Sequence, residues 1–216
     1  MDLELIIAIL LIIGIDIVLG GDNAIIIALA CRDLPQNQRN KAIIFGTIIA
    51  IICRILLTIG AVYLLSIPFL HFVGGVLLYY IAFQLINDNM DRTIVKGSPS
   101  IMVAIKTIVV ADIIMGIDNV MAVAGAAHGN YYLVIIGLLF SMPIIIWGSK
   151  LILIMMEKYP IIVYIGACIL SFTAGKMIIH EPVVASLMAF AEWQMYLPYI
   201  MICVLLTVSL LKQKIA

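Results

Sequence analysis

The amino-acid sequence predicts an all-α polytopic membrane protein: seven transmembrane helices, arranged as an inverted 3+3 helix repeat plus one C-terminal helix. Three observations carry this expectation. Of 216 residues, 65% are hydrophobic and only 11% charged, with a mean hydropathy of +1.26, well beyond the apolar content that a water-soluble core needs. Apolar runs long enough to cross about 30 Å of hydrocarbon, roughly 20 residues as a helix, recur along the whole length. A short acidic motif also occurs twice, once in each half, and the sequence around it matches more faintly.

The first span covers about residues 5–30. It opens on "MDLELI", with acids and no Lys or Arg, and no A-x-A pattern follows, so it reads as a retained helix rather than a signal peptide. Spans two and three, about 41–65 and 68–87, are joined by a short link at Pro68. Spans four to six cover about 101–127, 131–156 and 160–180, and the seventh about 195–212. The chain, 1–216, is thus a single transmembrane domain, with repeat one over about 1–90, repeat two over about 101–181 and the additional helix at about 195–212. Cys31, Cys53, Cys168 and Cys203 show no C-x-x-C spacing and read as small packing residues.

Orientation follows from the cations. Arg32, Arg39 and Lys41 follow the first span, Arg92 and Lys96 the third, Lys158 the fifth, and Lys212 and Lys214 close the chain, all on one side. The N-terminus and the connections "LSIPFLH" and "AAHGNYY" carry no Lys or Arg; Lys176 is ambiguous. The expectation is a membrane protein with its N-terminus outside and its C-terminus in the cytoplasm.

The repeat is clearest where "DIVLGGDNA" (16–24) is set beside "DIIMGIDNV" (112–120). Asp16 aligns with Asp112, Gly20 with Gly116, Asp22 with Asp118 and Asn23 with Asn119. Fainter likeness runs from Gly46 to Gly137 and from Gly74 to Gly166, so the chain reads as a duplicated three-helix unit. Because three is odd, the two halves must cross the membrane in opposite senses. Folds of this kind place substrate sites near the bilayer midplane, on helices interrupted by Gly or Pro.

On a straight helix, residues six apart lie roughly 120° apart in azimuth and about 9 Å apart in height. Unwinding at Gly20-Gly21, or at Gly116 in the second half, would turn both carboxylates of a stretch toward one point and free backbone carbonyls for a bound cation. The candidate metal ligands are therefore Asp16, Asp22, Asn23, Asp112, Asp118 and Asn119, an all-oxygen set. Such a set suits Mn²⁺, Mg²⁺ or Ca²⁺ and suits Zn²⁺ or Cu⁺ poorly, since neither stretch holds His or Cys. Four mid-helix aspartates cost on the order of 10 to 14 kcal/mol on insertion scales, which argues that they are used.

Other polar residues signal less. Met115 could favour Mn²⁺ over Ca²⁺, although a lipid or core contact is the ordinary reading. Arg54 could offset the acids, close a gate, or form a structural ion pair. Lys106 and Lys150 read as snorkelling cations, and His71, His128 and His180 as solvated residues at loop ends. Gln84 and Lys176 match across the repeats, and Thr47 and Ser141 lie near the paired Gly46 and Gly137, where either hydroxyl could add an oxygen.

Having these paired D-x-x-x-x-x-D-N stretches in a seven-helix frame, the sequence closely resembles the TerC family of bacterial membrane proteins, within the lysine-exporter-like superfamily, over about its whole length. Many members carry glutamate where this chain has Asp16 or Asp112. The resemblance implies Mn²⁺ export, protection against manganese excess, supply of manganese to secreted enzymes in some members, and a link to the secretion machinery.

The sequence thus points to a transporter, not an enzyme: a divalent metal exporter acting by proton antiport, since moving two charges out of a negative interior costs roughly 5 kcal/mol per 100 mV and needs coupling. Its expected partners are Mn²⁺ or a similar cation, protons, the lipid bilayer and a second copy as a homodimer; no resident cofactor and no nucleic acid are expected. The alternatives are a transporter for Ca²⁺ or another divalent cation and, from a different class, an intramembrane aspartyl protease, whose carboxylates would share a proton.

Overall fold

In the computed structural model the described residues are 3–60, 67–87, 100–127, 130–184 and 195–215. They form an all-helical bundle. The long helices are α1 (Leu3–Leu19), α2 (Gly21–Cys31), α3 (Gln36–Ile59), α4 (Leu70–Asn87), α5 (Ile101–Ala126), α6 (Tyr131–Lys158), α7 (Ile161–His180) and α8 (Leu197–Ile215). Each span expected from the sequence lies mainly on helix in its described part, with Gly20, Gly60, Pro68, Phe69 and Pro160 among the non-helical residues. Among the described residues four helices are by length and composition apolar enough to cross a membrane, namely α3, α4, α6 and α7, and α1 with α2 makes a fifth if the bent pair is one span. Arg92, Lys96 and His128 lie outside the described residues.

Large apolar side chains cover the outside of the bundle. Phe140, Trp147 and Ile161 are 63 to 68% exposed, in company with Phe45, Leu56, Tyr80 and Leu211. A surface of this kind is stable against hydrocarbon and not against water. The interior is packed through small residues: Ala28, Ala42, Ala82, Ala111, Ala167 and Ala174 are fully buried. Helix pairing in lipid relies on such close backbone approach, because apolar side chains gain nothing by leaving lipid for protein.

Glycines mark the closest approaches. A Cβ on Gly137 of α6 would lie 2.3 Å from Ile12 Cγ2 of α1, and one on Gly46 of α3 would lie 2.9 Å from Ile108 Cδ1 of α5. At Gly75 of α4 it would meet the Ala174 carbonyl oxygen of α7 at 2.7 Å. These are the three principal pairings of the bundle: α3 on α5, α4 on α7, and α1 on α6. Helix α8 packs on α7 and α4, with Pro198 over Gly175 and the Tyr79 hydroxyl donating to the Met201 carbonyl at 3.2 Å.

The first span is bent by 50° between α1 and α2. The break is at Gly20 (φ −98°, ψ 12°), whose N–H still donates to the Asp16 carbonyl at 2.7 Å, while the Asn23 N–H starts the next turn on the Gly20 carbonyl at 3.0 Å. A Cβ on Gly20 would sit 2.5 Å from that Asp16 oxygen, so this turn requires glycine. The corresponding break at Gly116 does not form: α5 runs unbroken from Ile101 to Ala126. A lone glycine costs a helix only about 1 kcal/mol, and Ile117 stands where the first half has Gly21.

The two ends of the bundle differ. At one, Arg39 pairs with Glu157 and donates to the Arg32 carbonyl at 2.8 Å, while Arg32 donates to the Leu85 carbonyl at 2.7 Å, gathering the cationic ends of α2, α3, α4 and α6. At the other, Glu181 accepts from the N–H groups of Phe69 (3.0 Å) and His71 (3.2 Å) at the start of α4. That clamp holds the short link after Pro68, where Phe69 has a left-handed backbone (φ 62°). Cys31, Cys53, Cys168 and Cys203 are all free.

Candidate functional site

The polar residues of the first motif point to two different places, because they straddle the bend. Asp16, in the last turn of α1, is 1% exposed and turns into the middle of the bundle. There it accepts from the Arg54 guanidinium of α3 and from the Ser141 hydroxyl of α6. Asp112, on α5, accepts from the other arm of the same guanidinium. One arginine therefore bridges an acid from each half of the chain, and it is itself only 3% exposed.

This inner centre is lined by Asp16, Asn23, Thr47, Arg54, Asp112 and Ser141 over an apolar floor that includes Ile108 and Ile145. Its residual cavity is about 20 Å³, room for roughly one water. The centre is incompletely bonded. Asn23 is 3% exposed, and neither its amide nitrogen nor its amide oxygen has a hydrogen-bond partner; Asp112 Oδ2 and Arg54 Nε are likewise buried without one. Thr47 returns its hydroxyl to the Ile43 carbonyl at 2.6 Å, so its oxygen faces the cavity without competing for the acids.

Asp22 and Asn119 belong to a second, larger cavity of about 560 Å³. Met115, Thr173, Lys176, His71 and His180 also line it, the last two near the Glu181 end of the bundle. Asp22 Oδ2 accepts from the Thr173 hydroxyl at 3.3 Å, and Oδ1 is buried without a partner. The Asn119 amide donates to the Leu19 carbonyl at 3.4 Å, the last carbonyl before the bend, so one group freed by the break is met by the opposite motif. The Asp118 side chain lies outside the described residues.

The single oxygen cage expected from the sequence is thus divided here into an inner pair, Asp16 and Asp112 with Asn23, and an outer group containing Asp22 and Asn119. Among the described residues no three Asp, Glu, His or Cys side chains converge as a metal site. Of the secondary candidates, Ser141 joins the inner centre and Met115, 3% exposed, the outer cavity. Lys176 lies 5.6 Å from the Phe172 ring centre, at the wall of the outer cavity, while Gln84 lines a separate pocket near Arg32. Of the roles the sequence offered Arg54, an ion pair that offsets the acids is the one seen here, although nothing in its neighbours in sequence says which acids it meets.

Lipid-facing helices around a buried, ion-paired polar centre define a multi-pass integral membrane protein. The chain belongs to the TerC family of integral membrane proteins, whose family model matches residues 1–215. It is 51% identical over 189 residues to the uncharacterized membrane protein YjbE of Bacillus subtilis (strain 168), an alignment covering 88% of this chain and 87% of that protein. It is 26% identical over 183 residues to the UPF0053 inner membrane protein YoaE of Escherichia coli (strain K12), covering 76% of this chain and 35% of YoaE, and 24% identical over 127 residues to the B. subtilis membrane protein YkoY, covering 38% of it. The chain therefore spans nearly all of YjbE and about a third of the other two. No solved structure matches.

Proposed function

We propose that this protein exports a divalent metal ion, Mn²⁺ foremost, in exchange for protons, using Asp16, Asn23 and Asp112 at the inner centre and Asp22, Asp118 and Asn119 as further ligands along the path. The observation that carries the reading is the inner centre: two carboxylates from opposite halves of the chain face one point in mid-bundle, beside buried amide and carboxylate oxygens without partners. Two negative charges and oxygen donors match a hard dication in charge and chemistry. In this reading the large outer cavity, whose lining runs from Asp22 to His71 and His180, is the side from which the centre is approached.

The helix pairing supports the inverted repeat on which the mechanism rests. Exchanging α1 with α5, α3 with α6 and α4 with α7 turns the α3 to α5 pairing into α6 with α1 and returns the α4 to α7 pairing to itself, as a two-fold axis in the membrane plane requires. In this reading all seven spans cross the bilayer, the Arg32, Arg39 and Lys158 end is cytoplasmic, and the halves rock to expose the centre to either side. Protons taken up as the metal leaves would offset the charge of the vacated carboxylates, which is what an exchange requires. A homodimer and a contact with the secretion machinery remain part of the proposal. So does the choice of ion, since the same donors accept Ca²⁺ or Mg²⁺.

The protease alternative is less well supported, because an arm of the Arg54 guanidinium stands on each of Asp16 and Asp112, where a protease dyad sets its two carboxyls against each other. The decisive experiment is Mn²⁺ efflux by Asp22→Asn and Asp118→Asn in cells, with membrane insertion as control. Efflux should be abolished and insertion retained; unchanged efflux in both variants refutes the proposal. Stabilisation of the purified protein by Mn²⁺, measured across a panel of divalent ions, separates a transporter from a protease.

A further inference from the structure

We infer that Arg54 is a tethered counter-ion that competes with the transported cation for Asp16 and Asp112, so that guanidinium and metal occupy the inner centre by turns. This rests on the ion-export reading and assigns a residue role within it. Space is the first argument. With Arg54 in place the centre retains about 20 Å³, room for roughly one water, and both carboxylates already accept from its two arms, so a dication carrying part of its water shell does not fit beside the guanidinium.

Charge is the second. Two carboxylates buried together without a cation are strongly unfavourable, so a site that releases its metal needs a replacement at that moment. Arg54 reaches both acids with one planar fork, which a point charge on a lysine stem does not match. Bonding is the third. A structural ion-pair network is stable when its lone pairs and protons are satisfied, yet here Asp112 Oδ2, both polar atoms of Asn23 and Arg54 Nε are left over. The surplus acceptors are the oxygens a metal would take when the arginine withdraws.

The repeat isolates the residue. Counting from the paired Gly46 and Gly137, the position matching Arg54 is Ile145, which lines the same cavity. The centre thus has two acids related by the duplication and one cation that is not. Gly116 packs beside the guanidinium: a Cβ there would lie 3.9 Å from Arg54 Nε, so glycine leaves a methyl-sized gap at that side.

The test is equilibrium binding of Mn²⁺ to the purified full chain and to Arg54→Gln and Arg54→Lys, together with Mn²⁺ export from cells. Removing a competitor raises affinity, whereas removing a purely structural arginine lowers it or leaves it alone. Arg54→Gln is expected to bind Mn²⁺ at least tenfold more tightly and to export it at least tenfold more slowly, since release has lost its replacement cation. Arg54→Lys, which keeps the charge but not the fork, is expected to bind at least threefold more tightly, and it decides the matter if the glutamine variant does not fold. Affinity equal to or below wild type in the folded variants overturns the inference while leaving ion export standing. Absence of Mn²⁺, Mg²⁺ and Ca²⁺ binding in wild type and variants alike overturns the export reading, and the inference with it.

Discussion

Asp112→Asn separates the charge of the inner centre from its architecture. The amide keeps the shape of the side chain, and Arg54 stays paired with Asp16 and Ser141 stays bonded to it, so the fold loses one charge-assisted hydrogen bond, about 1.5 to 3 kcal/mol. A bound dication loses much more. At an effective dielectric near 20, unit charges about 4 Å apart interact by about 4 kcal/mol, so a dication forfeits about 8 kcal/mol of attraction. If solvation of the carboxylate takes back two thirds of that, about 2.7 kcal/mol remains, a roughly hundredfold loss of affinity. At a metal concentration of 100 times the wild-type Kd, the ion stabilises wild type by about 2.7 kcal/mol and the variant by about 0.4 kcal/mol. With about 2 to 4 °C per kcal/mol for a chain of this size, wild type should rise by about 5 to 11 °C and the variant by no more than about 2 °C. The assay is thermal unfolding of detergent-purified protein, followed by intrinsic tryptophan fluorescence with and without Mn²⁺. A variant whose rise equals that of wild type refutes the placement of the ion between Asp16 and Asp112.

Other perturbations probe the scaffold around the centre. Ser141→Ala removes the hydroxyl donated to Asp16 and should lower the melting temperature by about 3 to 12 °C, at about 1.5 to 3 kcal/mol for a bond to a charged group; an unchanged melting temperature counts against that bond. Gly137→Val places a side chain 2.3 Å from Ile12 Cγ2 and should abolish monodisperse protein in size-exclusion chromatography, whereas Gly14→Ala, with nothing within 4 Å, should elute as wild type. Glu181→Gln weakens the clamp on the N–H groups of Phe69 and His71, and hydrogen exchange at the start of α4 should accelerate; equal protection in the variant argues that the clamp does not hold the link.

Much of this protein was determined by the sequence by itself. Burial in hydrocarbon is a sum over consecutive residues, so composition and run length were enough to expect an all-helical membrane protein and to place helices in the described residues. The bend at Gly20 was legible for the same local reason: two adjacent glycines weaken the ladder where they stand. Gly116 shows the limit, since whether a single glycine interrupts a helix depends on whether its neighbours recover the bonds, and in α5 they do. The partition of the acids was decided only by the tertiary structure. Asp16 and Asp22 are six residues apart on either side of a bend and so face different cavities, while Asp16 and Asp112, distant in the chain, meet at one guanidinium. Coulomb energy depends on separation in space and on the local dielectric, neither of which is a property of sequence spacing, and that is why the role of Arg54 became visible only once α1, α3 and α5 were packed together.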